Sequence, residues 1–431
     1  MRWSVAGLLV LALAAGGAFW LWHRTRPSPV IRGSPTREFR PVERPARPVD
    51  RGEPWPTYGY DNARSHVAPE SFDLRPPFRR LWMMKARYYV EFPPSVAYGK
   101  VFVAQLKAHI YAVDSRTGQV DWHTSFGPYC TFASPTLSRG VLYQTFLPAP
   151  CDYGPRDHPA FTAALRASDG KVLWLYRGPA SESATLLHRG TLYFGSWDHH
   201  LYALDVRGRK PRLRWRFEAD DELNSSPAYA GGTIYIGSNG GHVYAVDART
   251  GKLRWRASAF KRLGPPEYFY ATPTIAYGRV YIGYTDGTVY AFGASTGHLL
   301  WTQHAGTYVY TAAAVWKRTV YVGSYDGNVY AMDAATGDIR WKRDLGASIH
   351  GAPTVMDGLV YFSTCGDCGQ GGSRYVKRGP RGTFALNART GRIVWRFFDG
   401  RYSPIVSDGI RVYLMGNTRL YGLAPVRKRK K

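Results

Sequence analysis

The sequence of 431 residues is poor in acidic side chains and in cysteine. Four cysteines are too few for a scaffold held together by many disulfides, and one apolar run is too few for a transporter with several membrane spans. Aromatic residues make up 15% of the chain, which excludes a disordered tail. A helical bundle would be rich in Ala, Leu, Glu and Lys rather than in Gly and Tyr. A large globular protein that is rich in strand remains.

Basic residues are abundant, with 57 Lys and Arg against 31 Asp and Glu, a net charge of +26. Such a charge suggests an anionic partner. The suggestion is stronger when the charge is gathered in one motif than when it is scattered along the chain. A visible part of it lies in residues 24–53 and in the last five residues, and the rest is scattered through the repeats. No nucleic-acid-binding motif accompanies it, so we expect no nucleic-acid partner.

The single apolar run lies at the N-terminus. Residues 4–22 carry no charge and approach the roughly 20 residues of a membrane-spanning helix. Trp20 and Trp22 are followed by basic residues, as at a membrane interface. Small residues between positions 12 and 18 also allow a cleaved signal peptide. Because the apolar run continues past them, we expect residues 1–23 to be a transmembrane signal-anchor.

Two basic segments flank the central part of the chain. Residues 24–53 are dense in Pro and Arg and predict an extended linker, and residues 425–431 predict a solvated basic tail. The excess of Arg after the apolar run favours a cytoplasmic location for the rest of the chain. The cysteines described below favour the opposite side of the membrane, and we give them more weight.

Residues 54–424 repeat a unit of about 40 residues. Each unit contains four short apolar or alternating runs separated by turn signals, which predicts a four-stranded antiparallel sheet. Such sheets bury their faces only when they pack side by side around an axis. Each unit closes with a tryptophan, at Trp82, Trp122, Trp174, Trp215, Trp255, Trp301, Trp341 and Trp395.

Eight closing tryptophans predict eight blades. A last unit follows Trp395 without a tryptophan of its own, and the strand around Trp82 precedes the first complete unit. We therefore expect an all-β, eight-bladed β-propeller in which the N-terminal strand completes the last blade and removes the open edge of the ring.

The ends of the units carry a family resemblance. Residues 112–122 and 245–255 share the pattern Ala-x-Asp-x-x-Thr-Gly-x-x-x-Trp, which resembles the tryptophan-docking motif of PQQ (pyrrolo-quinoline quinone) repeat propellers. Residues 55–61, Trp-Pro-Thr-Tyr-Gly-Tyr-Asp, are similar to the start of that family. The resemblance covers residues 54–424 and implies the fold of BamB-like and quinoprotein-like propellers, with the tryptophans as structural contacts. It does not specify the function, because one fold hosts many functions.

Three insertions fall on one predicted face of the propeller. Residues 147–161 and 364–383 lie between second and third strands, and residues 260–270 lie in a crossing between blades. Loops vary where binding occurs, so this face is the expected working face.

All four cysteines are predicted on that face. The simplest pairing joins Cys130 with Cys151 and Cys365 with Cys368, although the sequence does not fix the connectivity. The alternative for Cys365 and Cys368 is a metal or redox site. Disulfides in surface loops favour an oxidising compartment, and therefore a single-pass protein of the cell membrane with its propeller on the extracytoplasmic side.

One position just before each inner strand is predicted to face the central axis. Its side chain differs between blades except for two tyrosines, whereas the rest of the repeat is nearly uniform. This variety favours a polar and aromatic ligand site, and the alternative is a ring of varied residues without a ligand. Aligned on the Ser-Pro pairs, the eight residues are Glu91, Phe132, Ser181, Asn224, Tyr270, Tyr310, His350 and Arg401.

The resemblance to quinoproteins implies one catalytic hypothesis, a PQQ-dependent dehydrogenase. In that family a Glu, an Asn and an Asp hold Ca²⁺ against the quinone, and adjacent cysteines form a ring beside it. Glu91 and Asn224 offer two of these groups, but the chain has no aspartate in the ring, no Cys-Cys pair and no long insertions. No other catalytic or metal-binding motif occurs. We expect that the protein binds neither PQQ nor Ca²⁺ nor another metal, and that it is not an enzyme.

The resemblance to BamB-like propellers implies a scaffold at the cell envelope. We expect a monomer that is anchored by its N-terminal helix and binds a protein, a peptide or another ligand through its loops and funnel. A third hypothesis is a binder of an anionic polymer or lipid surface through the positive charge.

Overall fold

The chain folds into eight four-stranded antiparallel sheets, which form an all-β, eight-bladed propeller as the repeat predicts. The computed structural model describes residue 17 and residues 28–40, 52–149, 151, 159–260, 267–366 and 376–426. Blades 1 to 7 each use one continuous segment of the chain. Blade 8 combines the last three strands with Phe78–Lys85, which pairs antiparallel with Arg419–Pro425.

The strands occupy equivalent places in every blade. From blade 1 to blade 8, the inner strands are Ser95–Ala97, Thr136–Ser138, Leu186–His188, Ala228–Ala230, Thr274–Ala276, Ala314–Trp316, Thr354–Met356 and Ile405–Ser407. The second strands are Lys100–Gln105, Val141–Thr145, Thr191–Gly195, Thr233–Gly237, Arg279–Gly283, Thr319–Gly323, Leu359–Thr364 and Val412–Met415. The third strands are His109–Asp114, Ala160–Arg166, His200–Asp205, His242–Asp247, Thr288–Gly293, Asn328–Asp333, Gly382–Asn387 and Arg419–Pro425. The outer strands are Val120–Ser125, Val172–Gly178, Arg212–Glu218, Leu253–Ser258, Leu299–His304, Ile339–Asp344, Ile393–Phe397 and Phe78–Lys85.

The core lies between the blades rather than inside any one of them. Second strands such as Thr233–Gly237 and Arg279–Gly283 are buried along their whole length, because a neighbouring blade covers each face. Outer strands such as Ile339–Asp344 are mostly exposed. A blade without neighbours would therefore expose both of its apolar faces.

The closing tryptophans join each blade to the next one. Six of the eight donate an indole hydrogen bond to a backbone carbonyl in the following blade, for example Trp255 to Ala294 at 3.0 Å. The glycine of the next Thr-Gly turn lies against the indole ring, and a Cβ built on Gly297 would be 2.7 Å from Trp255. The glycine is required both by this close approach and by its φ of +73°.

Two of the tryptophans lack this contact within the described residues. Trp174 faces blade 3, where residues 206–211 replace the Thr-Gly turn, and Trp395 faces blade 8, whose outer strand comes from the other end of the chain. Trp395 instead packs edge-on against Phe78, with ring centroids 5.2 Å apart.

Replacing Trp255 by Phe should destabilise the protein more than replacing Trp174 by Phe. Both changes shorten an aromatic side chain, but only the first removes a hydrogen bond between blades, which is worth about 1 kcal/mol. Urea unfolding of the two variants measures the difference. Equal losses of unfolding free energy would show that the indole hydrogen bond contributes nothing.

A segment before the first strand closes one end of the central channel. We call residues 55–68 the axial plug. Its backbone bonds to inner-strand residues of blades 1, 2, 4, 5, 6 and 7, and the Asn62 side chain donates to blade 3. The blade residues in these contacts are Val96, Leu137, Leu187, Tyr229, Ile275, Val315 and Val355.

Arg64 fixes the plug on the axis. Its side chain is fully buried, and the guanidinium donates to Tyr58 and Thr57 of the plug and to carbonyls of Ala184, Thr185 and Pro227 in blades 3 and 4. All of its N–H groups therefore have acceptors, which offsets the cost of burying the charge. Burial lowers the pKa of Arg64 to about 10, so it remains a cation at neutral pH.

Part of the predicted linker lies on the propeller rather than apart from it. Residues 28–40 contact blades 5 and 6, where Ile31 pairs with Thr302 and the Phe39 ring stacks on Tyr277. The buried guanidinium of Arg279 donates to three carbonyls of this segment and to the carbonyls of Ala334 and Ala335 in blade 6. Residues 28–40 are therefore docked on blades 5 and 6.

No helix in the described part of the chain is long and apolar enough to cross a membrane. The signal-anchor predicted for residues 1–23 lies outside the described residues except for Gly17, and the tail predicted for 425–431 is described only to Val426.

Candidate functional site

The site is a funnel on the propeller axis, opposite the plug. The side chains that line it precede the inner strands, whereas the plug contacts residues within those strands. Tyr58 of the plug forms its floor. The funnel holds about 570 Å³ of space, part of it open to solvent.

Five of the eight predicted axial residues line the funnel. They come from blades 1, 4, 5, 6 and 7, and each lies four residues before its inner strand. The five are Glu91, Asn224, Tyr270, Tyr310 and His350.

In blade 3 the predicted residue is one position out of register. Glu182, not Ser181, lies four residues before the inner strand and lines the funnel. Ser181 is buried and its hydroxyl donates to the Gly195 carbonyl. Blade 3 has Ala184-Thr185 where blades 2, 4 and 8 have Ser-Pro, and its serine, Ser183, lies one residue earlier, which shifts the alignment by one position. The inner strand Leu186–His188 is a signal that could have found Glu182, because the axial residue of each blade lies four residues before its inner strand.

The other two predicted residues lie outside the funnel lining. Phe132 packs in the apolar cluster around Cys130 and Leu147. Arg401 is 3% exposed, and its guanidinium lies 4.6 Å from the ring centre of Tyr402 and 5.8 Å from that of Tyr89. It therefore supports the rim between blades 8 and 1.

His350 connects the funnel wall to the protein behind it. Its Nε2 lies 2.7 Å from Glu91 Oε1, and its Nδ1 lies 2.6 Å from the Tyr325 hydroxyl. A neutral imidazole satisfies both contacts when Nε2–H donates to Glu91 and Nδ1 accepts from Tyr325. Burial raises the pKa of Tyr325 well above its ordinary value, so this hydroxyl stays protonated. Both ring nitrogens are engaged, which fixes the orientation of His350.

An aromatic wall runs across blades 5, 6 and 7. The Tyr270 and Tyr310 rings stack with centroids 4.3 Å apart, and Tyr310 and His350 stack at the same distance. The three rings stack across adjacent blades, so Tyr310 has another ring against each of its faces.

Glu182 is the most perturbed acid of the funnel. Burial raises the pKa of Glu182 to about 7, with the like charges of Glu91 and Glu222 acting in the same direction. The Tyr270 hydroxyl donates to its Oε1 at 2.7 Å, which opposes the shift. The carboxyl is therefore partly protonated near neutral pH.

Two buried polar atoms at the funnel have no hydrogen-bond partner in the described part of the chain. They are Oγ1 of Thr311 and Oδ1 of Asn224, and both residues line the funnel. Buried polar atoms in folded proteins are nearly always paired, so this pair indicates a place where a ligand can supply the missing contacts.

The three described cysteines, Cys130, Cys151 and Cys365, lie at the same face as the funnel opening. Cys130 and Cys151 form the predicted disulfide with a Cα–Cα distance of 5.4 Å, and Tyr129–Cys130 pairs with Leu147–Pro148 to hold the loop. Cys365 is also disulfide-bonded, and Cys368, its predicted partner, lies outside the described residues.

A protein-family model matches the chain twice, over residues 198–315 and 285–425. Its description is outer membrane protein assembly factor BamB, and the two matches together span more than half of the chain. The chain belongs to the BamB family. No curated protein matches the sequence.

Solved structures show the same fold as this BamB-family chain. BamB from Moraxella catarrhalis matches with a TM-score of 0.62 and 15% identity, over 80% of this chain and 99% of that one. The quinohemoprotein alcohol dehydrogenase from Comamonas testosteroni matches with a TM-score of 0.64 and 13% identity, over 89% of this chain and 82% of that one. At these identities the likeness concerns the fold alone.

The funnel of this BamB-family chain does not fit a quinone with Ca²⁺. Glu182 and Asn224 offer oxygen donors from adjacent blades, but Tyr270 follows in the next blade and its hydroxyl is bonded to Glu182. Ca²⁺ takes six to eight oxygen ligands. In the described part of the chain no three His, Cys, Asp or Glu side chains are grouped so that they could hold a metal ion.

Replacing Glu182 by Gln should stabilise the protein relative to the wild type, and this stabilisation should increase as the pH rises. The carboxyl loses its proton near pH 4.5 in the unfolded chain and only near pH 7 in the folded one, so the folded state loses stability between these values. Gln does not titrate, and it can still accept from Tyr270. Relative to the wild type we expect E182Q to gain about 2 kcal/mol of unfolding free energy between pH 5 and pH 8.

Urea unfolding at both pH values measures this gain. Glu218→Gln removes the same charge from an exposed position of blade 3 and serves as the matched control. If the unfolding free energies of E182Q and E218Q change in parallel between the two pH values, Glu182 does not titrate abnormally.

Proposed function

We propose that this chain is a non-catalytic scaffold of the cell envelope that binds a protein or peptide partner at the funnel face. The observation that carries the proposal is the axial plug. With the plug at one end of the channel, the concave opening lies on the face that also bears the Cys130–Cys151 loop. Concave, partly apolar openings with a few polar groups are typical binding sites.

The rim of the funnel face carries exposed aromatic side chains, each of them beside an arginine. Phe398 is 74% exposed and lies in the crossing from blade 7 to blade 8, with Arg396 stacked 4.5 Å from its ring centre. Tyr89, in the crossing into blade 1, is 46% exposed beside Arg401. Aromatic residues and arginine are enriched at the centres of protein interfaces, so this rim is suited to a protein partner.

The disulfide supports a location outside the cytoplasm, because thiols are kept reduced inside it. We infer that residues 1–23 anchor the chain in the cell membrane with a single span and that the propeller is an extracytoplasmic monomer. The family's description names an assembly factor for outer membrane proteins, which is a task performed on other proteins.

The second candidate function is that of a PQQ-dependent dehydrogenase. It is favoured by the shared fold of the quinohemoprotein alcohol dehydrogenase and by Glu182 and Asn224 in adjacent blades. The donor set around these two residues argues against it, as does the tyrosine in the next blade.

A photo-cross-linking amino acid placed at Phe398 should give a discrete adduct with a partner protein in intact cells. Ile410 is the matched control, because it is 66% exposed and lies in the turn between inner and second strands of blade 8, on the plug face. The adduct should be absent when the cross-linker replaces Ile410. Denaturing gels followed by mass spectrometry of the shifted bands provide the measurement.

The proposal requires an asymmetry between the two faces. Adducts of equal yield from both positions, or none from the rim positions Phe398 and Tyr89, would count against a partner at the funnel face.

A further inference from the structure

We propose that the funnel binds an organic cation, namely the ammonium or guanidinium group of a lysine, an arginine or a free N-terminus in a bound peptide. This inference rests on the proposed binding function and names the chemistry of the group that enters the funnel. It differs from what the net charge of the chain suggests, which is an anionic partner.

The charge of the funnel is opposite to the charge of the chain. The whole chain has a net charge of +26, but the charged side chains that line the funnel are Glu91 and Glu182, and no Lys or Arg is found among its described lining residues. Glu222, which is 6% exposed, adds a third carboxylate close enough to act on Glu182. An anionic ligand would be repelled by all three groups.

The cation beneath the funnel floor, Arg64, has its donors engaged elsewhere. Arg64 lies behind the floor, 5.7 Å from the ring centre of Tyr58, and its guanidinium donors are engaged by backbone carbonyls and Thr57. On the wall, His350 uses both ring nitrogens, one for Glu91 and one for Tyr325. Glu182 accepts a hydrogen bond from a neutral phenol, that of Tyr270.

The aromatic walls favour a cation as well. Phe92 and Tyr58 line the funnel together with Tyr270, the end ring of the described stack. The negative face of an aromatic ring attracts a cation, and the attraction is stronger where water is excluded. Carboxylates surrounded by aromatic rings are the combination that an alkylammonium or guanidinium group requires.

The unpaired polar atoms are an independent indication of a ligand that donates hydrogen bonds. Thr311 is 3% exposed, and its Oγ1 has no partner in the described part of the chain although the residue lines the funnel. The Oδ1 atom of Asn224, also unpaired, is an acceptor only. Ammonium and guanidinium groups carry several N–H donors and no acceptor, so they match these atoms.

The acid–base properties of Glu182 agree with this geometry. Burial, together with Glu91 and Glu222, keeps its carboxyl partly protonated near neutral pH. A cation within the funnel would stabilise the ionised form and remove this penalty.

Calorimetric titration of the full-length protein with two pairs of matched probes tests the inference. N-acetyl-lysine amide is paired with N-acetyl-norleucine amide, and N-acetyl-arginine amide with N-acetyl-citrulline amide, so that each pair differs mainly in charge. We expect at least one cationic probe to bind about tenfold or more tightly than its neutral partner. Glu182→Gln should weaken that binding about tenfold, and the exposed control E218Q should leave it unchanged.

A second variant separates the funnel from general effects of charge. Phe92→Leu removes a ring from the funnel lining and no charge, and it should also weaken the cationic probe several-fold. Thermal unfolding of each variant shows whether it is folded before titration.

Three outcomes would overturn the inference. They are equal binding of charged and neutral probes, equal effects of E182Q and E218Q, and no binding of either cation at millimolar concentration. A partner cross-linked at Phe398 in the absence of cation binding would leave the proposed scaffold function standing and reject only the cation. If neither a cross-linked partner nor cation binding is found, the scaffold function and the cation site are both rejected.

Discussion

Burial of each blade between two neighbours is the constraint on which the whole structure depends. The second strands are apolar on both faces, so a blade is stable only when both adjacent blades are in place. The tryptophan contacts convert this requirement into a fixed spacing at six of the eight blade junctions, where the indole reaches a carbonyl and a glycine turn of the next blade. The ring therefore forms as a unit, and it leaves a channel on its axis.

The channel is what distinguishes the two faces of the molecule. The axial plug fills one end and is fixed by the buried Arg64, whose acceptors come from the plug itself and from blades 3 and 4. The other end remains a funnel with carboxylates, stacked rings and unpaired polar atoms. A chain that is strongly basic overall thus presents an acidic and aromatic opening, and it is this local chemistry that selects a ligand at short range.

Much of the fold could be predicted from the sequence, because the repeat places the same residue types at the same steps of every blade. The number of blades follows from the spacing of the tryptophans, their docking role is what the family resemblance implies, and Cys130–Cys151 is the simplest of the pairings that the sequence leaves open. Five of the residues that line the funnel followed from the one variable position in the repeat. Glu182 was missed because the serine of blade 3, Ser183, lies one residue earlier than in the Ser-Pro pairs, and one residue of slip moves a side chain to the other face of a strand.

The plug and the docked segment 28–40 could not be predicted, because each makes its contacts with residues far away in the chain. The sequence does contain one signal for the docked segment 28–40. In blades 3, 4 and 6 a threonine at the start of the second strand accepts from an arginine of the outer strand, as Thr233 does from Arg254. In blade 5 these positions hold Arg279 and Leu300. An arginine without its repeat partner indicates a contact from outside the repeat, and the sequence does not say with which segment.

The central claim is that this funnel serves binding and not quinone chemistry. The most direct test is to incubate the full-length protein with PQQ and Ca²⁺, remove free cofactor by gel filtration and record the absorbance of the protein fraction. We expect no quinone absorbance, because the Tyr270 hydroxyl is bonded to Glu182 and, among the described residues, no three His, Cys, Asp or Glu side chains are grouped to hold Ca²⁺. Retention of one PQQ per chain, lost on replacement of Glu182 by Gln, would contradict the account.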